Sequence, residues 1–169
     1  MENHRTAIIK GFASALTGLT YNNKSVPVYT GSPLKAPTKP YIQLGSLNTN
    51  EEGCKDMFGH ACSYDVQIID NSNKNFVSPK ACEEITDLVL AAIKPSFLSV
   101  VTLADPFEMT NLTLSNSFQD SGIFETDRYY RNILQFSFDV HEVLQAVWIM
   151  AEGVWNNSGV WVDTEVWID

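Results

Sequence analysis

Residues 62 to 70 read CSYDVQIID, and this strict alternation is the feature that most limits what the chain can become. Tyr64, Val66 and Ile68 fall on one side of an extended backbone, with Ser63, Asp65 and Gln67 on the other, so the segment is a half-buried strand. The period then changes. In PKACEEITDLVLAAIK, Ala81, Ile85, Leu88, Val89, Ala92 and Ile93 recur at helical spacing and define a buried stripe. Ser78 suits the N-cap, Pro79 the first turn, and Glu83 and Glu84 the positive end of the helix; Pro95 stops it. A half-buried strand followed by an amphipathic helix folds as packed layers of sheet and helix.

The flanking sequence extends both layers. Residues 4 to 19 carry Ile8, Phe12, Ala15, Leu16 and Leu19 on one helical face, and Gly18 helps to end this first helix. VPVYTGSPLKAPTKPYIQLG, from Val26 to Gly45, holds two strands around a stiff loop with Pro33, Pro37 and Pro40. Ile42 and Leu44 point one way. EEGCKDMFGHA has no clear period and reads as a long, partly mobile excursion between two paired strands. NLTLSNSF and RYYRNILQFSFDV supply two more strands, the first with Leu112, Leu114 and Phe118 on one face, the second with Leu134, Phe136, Phe138 and Val140 inward. The acidic stretch from Gln119 to Asp127 between them reads as an exposed loop. The expected fold is α+β: a mainly antiparallel sheet of four to five strands covered by two helices on one face, with a C-terminal strand-like arm.

At 169 residues, 44% of them hydrophobic, residues 1–143 suffice for one domain with a sizeable core. Residues 144–169 form the arm. In GVWNNSGVWVDTEVWID the residues Trp155, Trp161 and Trp167 recur at steps of six, each after a valine. Steps of six scatter around a helix but share one face of an extended chain, and Asn156-Asn157-Ser158-Gly159 is turn chemistry. The units are therefore short strands, too small to stand alone in water. The indoles pack either on the chain's own sheet or on another molecule.

Charge and chemistry exclude several classes. The net charge is −9 and every Lys and Arg lies at or before Arg131, so tight binding to nucleic acid is not expected. No apolar run reaches the roughly 20 residues that cross a bilayer, and the N-terminal stretch lacks a signal-peptide layout; synthesis in the cytoplasm follows as the expectation. Three cysteines cannot form a fully paired disulfide framework. Cys54, His60, Cys62 and Cys82 depart from zinc-knuckle spacing, and buried small apolar side chains are the simpler reading. DNSNKN lacks the central glycine and closing glutamate of a calcium loop. No phosphate-binding or hydrolase motif is present, and a Cys62 nucleophile with His141 as base has no orienting neighbour in sequence. No enzyme activity and no cofactor or metal is expected.

Four segments carry a resemblance: AIIKGFASALTGL, KPYIQLGS, SYDVQIIDNSNKNFVSPKACEEITDLVLAAI and RNILQFSFDV, which together span roughly residues 5 to 143. The chain resembles the tail-terminator (tail-completion) proteins of long-tailed bacteriophages, small α+β subunits that form rings at the head-proximal end of the tail. The resemblance implies a self-assembled ring, usually a hexamer, that caps the tail-tube protein, meets a head-completion or connector protein, and lets DNA pass without specific binding. The location it implies is the virion tail or neck, after synthesis in the host cytoplasm. A neighbouring head-to-tail connector ring is the alternative station. The segment from Glu51 to Ala61 matches a place where this family carries a loop, which puts Glu51, Glu52 and Asp56 at a subunit contact or lumen wall. Trp148, Trp155, Trp161 and Trp167 lie on an arm extra to the family pattern and are expected at an interface. A carbohydrate-binding module that stacks sugars on these tryptophans is the rival from another class.

Overall fold

Asn3 opens the first helix: its side chain accepts the Arg5 backbone N–H at 2.9 Å, and α1 runs through His4–Leu16. At the other end the Thr17 N–H bonds Ala13 and Ser14 carbonyls, and Gly18 turns the chain away at φ +92°. In the computed structural model the described residues are 3–32, 40–54, 57–70, 79–96, 100–124, 127–143, 148–150, 153–155 and 161–163. Asn22 and Asn23, both at positive φ, turn a small ribbon of β1 (Thr20–Tyr21) and β2 (Lys24–Ser25). Then follow β3 (Val28–Thr30), β4 (Tyr41–Cys54), β5 (Met57–Asp70), α2 (Lys80–Ile93), β6 (Phe107–Phe124) and β7 (Asp127–Glu142).

Five strands form one mixed sheet in the order β3-β4-β5-β7-β6, in which β3 runs parallel to β4 and the other pairs are antiparallel. Alternation sets its two faces. Ile42, Leu44, Tyr64, Val66, Ile68, Leu134, Phe136, Phe138 and Val140 are buried on one face, against Ile8, Phe12 and Leu16 of α1 and Cys82, Ile85, Val89 and Ile93 of α2. Each fully buried large apolar side chain stabilises the packed state by about 1.5–3 kcal/mol relative to exposure. Both helices therefore cover the same face, and the fold is α+β. One polar link crosses this layer: Asn132 donates from Nδ2 to Thr86 Oγ1 at 2.9 Å, and Thr86 donates to the Cys82 carbonyl at 2.7 Å.

Several expectations are corrected. Residues 51–61 are not an excursion: β4 and β5 pair continuously from Leu47↔Tyr64 to Cys54↔Met57, as one long ribbon. The reason is lateral support, because β7 pairs with β5 as far as Gly59↔His141. Likewise residues 119–124 are paired, with β6 and β7 in register from Asn116↔Gln135 to Phe124↔Asp127. Leu112, Leu114 and Phe118 do not share one buried face. Leu112 and Leu114 lie on the helix side, where Leu112 is buried and Leu114, opposite Phe136, is 41% exposed; the register shift between Leu114 and Asn116 turns Phe118, opposite Ile133 and 46% exposed, to the other face. The α2 N-cap is Pro79, with no side-chain cap bond, and Ser78 lies outside the described residues. On the α2 stripe Cys82 is buried, whereas Ala81 and Leu88 are half-buried.

The arm contains three strands, β8 (Trp148–Met150), β9 (Gly153–Trp155) and β10 (Trp161–Asp163), which form an antiparallel meander in the order β10-β9-β8. The strand-like segment expected there is thus a small sheet of its own. Trp167 and the turn Asn156 to Gly159 lie outside the described residues.

Candidate functional site

Two places gather the residues singled out by sequence. The first is the far end of the β4–β5 ribbon. Glu51 pairs with His60 and Glu52 with Gly59; both glutamates are exposed, and as successive strand residues they sit on opposite faces. Asp56 lies outside the described residues. The Glu52 rung continues across the sheet through Gly59 and His141 to Glu108, whose Oε2 is 3.5 Å from His141 Nε2. A shallow groove of about 280 Å³ lies here, lined by Glu52, Gly59, Thr110, Asp139 and His141 among others. Gly59 floors it, and Asp139 is held by the Asn111 amide at 2.6 Å. The groove's carboxylates, Glu52 and Asp139, make it acidic.

The other face of the same corner holds an arrangement that the sequence does not signal. His4, the first residue of α1, stacks on His60 of β5 with ring centroids 3.9 Å apart and planes 13° from parallel. Phe107 meets the His4 ring edge-on at 6.4 Å. Burial, then the charges of His60 and Arg5, lower the His4 pKa below its ordinary 6.5. The two residues lie 56 positions apart, and no local pattern joins them. Arg5 fastens the same helical turn to β4, donating to the Leu47 carbonyl at 2.9 Å and to Thr49 Oγ1 at 3.0 Å.

The second place is the arm. Pairing sets Trp148 opposite Trp155 and Trp155 opposite Trp161, so three tryptophan positions occupy one rung across the meander, with Ile149, Val154 and Val162 on the next. Trp155 and Trp161, six residues apart, meet on this rung across the β9–β10 reversal, and Trp148, seven residues before Trp155, joins it across the β8–β9 reversal.

Among the described residues, Cys62 and Cys82 are free, buried thiols. Burial pushes the Cys62 thiol up to about 11 and the Cys82 thiol up to about 12, with Asp139 and Asp70 as further causes, so both are protonated near neutrality. Cys82 points into the sheet–helix layer, near the Ile68 and Tyr130 carbonyls. His141 faces Glu108. Among the described residues no three His, Cys, Asp or Glu side chains are placed to hold a metal ion, and no helix is long and apolar enough to cross a membrane.

No family model matches the chain, and no curated protein matches it. Among solved structures, the fold matches a chain described as part of the virion of a native gene transfer agent (GTA) particle. The TM-score is 0.63 at 15% identity, over 81% of this chain and 96% of that one. At this identity the likeness is one of fold: two helices on one face of a mainly antiparallel sheet, shared with a protein chain of a virion.

Proposed function

We propose that this chain is a structural subunit of a phage-like virion, a ring-forming tail terminator that caps the tail tube and joins it to the head connector. The observation that carries the reading is the match of fold to a virion chain over almost the whole of that chain's length. The subunit acts by contact rather than by chemistry, and the protonated, buried thiols support that view. Copies of the chain assemble into a ring, a hexamer on the pattern of the family it resembles. One side of the ring meets tail-tube subunits and the other a head-completion or connector protein. The exposed carboxylates of Glu51 and Glu52 at the ribbon end contribute to an acidic wall past which DNA slides without adhering. A neighbouring neck ring is the nearest variant of this reading, since it needs the same kind of subunit. The tryptophan rung of the arm docks on a neighbouring copy or on the next ring, as aromatic anchors do at interface cores.

The test is to locate the chain in particles. Gold-labelled antibody against residues 1–143, applied to particles from cells that produce the protein, should mark the junction of head and tail once per particle. Label on the head shell, along the tail or on no particle contradicts the reading. A second reading, a glycan-binding arm, draws on the same tryptophan rung. Binding to a panel of polysaccharides that vanishes when Trp148, Trp155 and Trp161 are changed to Ala would favour it, and the absence of binding by the intact chain removes it.

A further inference from the structure

The proposed function makes no use of the stacked histidines. Three separate fastenings hold the start of α1 on the sheet: the face-to-face contact of His4 with His60, the edge-on contact of Phe107, and the two Arg5 bonds to Leu47 and Thr49. What lies beneath is a strand margin that no described strand covers. β3 covers β4 only at Ile42 to Leu44, so on that side the outer half of β4, from Leu47 onward, has the Arg5 side chain as its described partner.

We propose that the first turn of α1 is a latch over the open margin of β4, released by acid, with the His4–His60 stack as its sensor. With His4 uncharged, its ring stacks on His60 at 3.9 Å and carries no charge to oppose the contact. A proton on His4 puts a cation face to face with the His60 ring and beside the Arg5 guanidinium, in a buried place that already disfavours it. Among the described residues, the other titratable groups around the pair are few. On β4, Glu51 stands opposite His60; on β7, Glu142 stands opposite Phe107; Cys62 is the next residue of β5 on the helix-covered face. Glu108, Asp139, Glu52 and His141 belong to the opposite face of the sheet. Glu51 is thus the carboxylate that shares the face of the stacked pair.

The remaining features point the same way. His4 Nε2 is buried without a hydrogen-bond partner, so a proton there has no acceptor until the ring swings out. His4 is also the first residue of a helix, where the backbone dipole disfavours a cation. The lowered pKa of His4 sets the sign: the undocked state takes the proton first as pH falls below 6.5, so docking is favoured above that value and lost below it. Release frees the Arg5 side chain from the Leu47 carbonyl and leaves the margin of β4 available to another strand or side chain.

The experiment is amide hydrogen exchange on the full chain between about pH 8 and about pH 5.5, corrected for the intrinsic chemical rate. The amides to follow are Ala7, whose N–H bonds the Asn3 carbonyl at 3.1 Å, and its neighbours Ile8 and Ile9. Opening of this turn should rise several-fold across the range, with about tenfold as the ceiling for a single proton, while Leu16 and the α2 amides change far less. His4→Phe and His60→Phe, which keep a ring in place and remove the charge, should flatten the response. A flat wild-type profile overturns the proposal, as does an equal rise in both variants. Because the readout is local exchange, it holds or fails whatever ring the protein forms.

Discussion

Phe12 is the side chain through which α1 grips the sheet. It is fully buried, and its ring lies 5.0 Å from Tyr64 at 81°, 5.5 Å from Phe138 and 6.0 Å from Phe136. Phe12→Ala removes the ring from a site walled by three other aromatics on rigid strands, so the cavity cannot close well. The expected loss is about 3–5 kcal/mol, near the upper end because the edge-to-face contact with Tyr64 goes as well. For a domain of this size each kcal/mol moves the midpoint by about 2–4 °C, so the thermal transition should fall by roughly 6–20 °C. The control is Phe118→Ala, since Phe118 is 46% exposed on an edge strand and should cost no more than about 0.5 kcal/mol. Urea unfolding of wild type and both variants, followed by far-UV circular dichroism, measures the difference directly. A Phe12→Ala loss below about 1 kcal/mol, or equal losses for the two variants, would refute the placement of α1 on this face.

Gly11→Ala should destabilise by more than about 1 kcal/mol, because a methyl there would sit 2.8 Å from Leu103 Cδ2 and 3.0 Å from the Thr102 carbonyl oxygen; a neutral result in the same urea assay contradicts that close approach. Deleting residues 144–169 should leave the thermal midpoint within about 3 °C of wild type, since the described core residues lie between Ala7 and Val140; an insoluble or unfolded product would mean that the arm completes the body's core. Cys62 and Cys82 should resist alkylation by iodoacetamide at about pH 8 in the folded chain and react at once in urea, given thiols held near 11 and 12; rapid labelling of either in the native state refutes their burial.

The helix and strand periods of the body were legible because each element buries one face. Tyr64, Val66 and Ile68, then Leu134, Phe136 and Phe138, alternate because α1 and α2 cover one side of the sheet and not the other. The two ribbon ends were illegible for the complementary reason. Glu51 and Glu52 are exposed although they lie in a long strand, and so are Phe118, Gln119 and Ile123 at the other end. Where neither face is buried, backbone pairing alone defines the strand, and pairing leaves no mark on hydrophobic period. A register shift hid the course of β6 as well, by moving Phe118 away from the face that holds Leu112 and Leu114. In the arm, the six-residue spacing correctly marked short strands, but only pairing shows that Trp148 joins the rung of Trp155 and Trp161. The His4–His60 stack brings an N-terminal helix against the middle of the chain, a contact fixed by tertiary packing alone.

A ring-forming subunit is the central claim, and mass in solution tests it most directly. Purified full-length protein should be weighed by native mass spectrometry at its highest soluble concentration, alone and with assembled tail tubes, and the same samples imaged in negative stain. A discrete closed ring, either free or seated on tube ends, is the predicted result, with a total mass that is a whole multiple of 18.9 kDa. A single 18.9 kDa species that leaves the tube ends bare would contradict it.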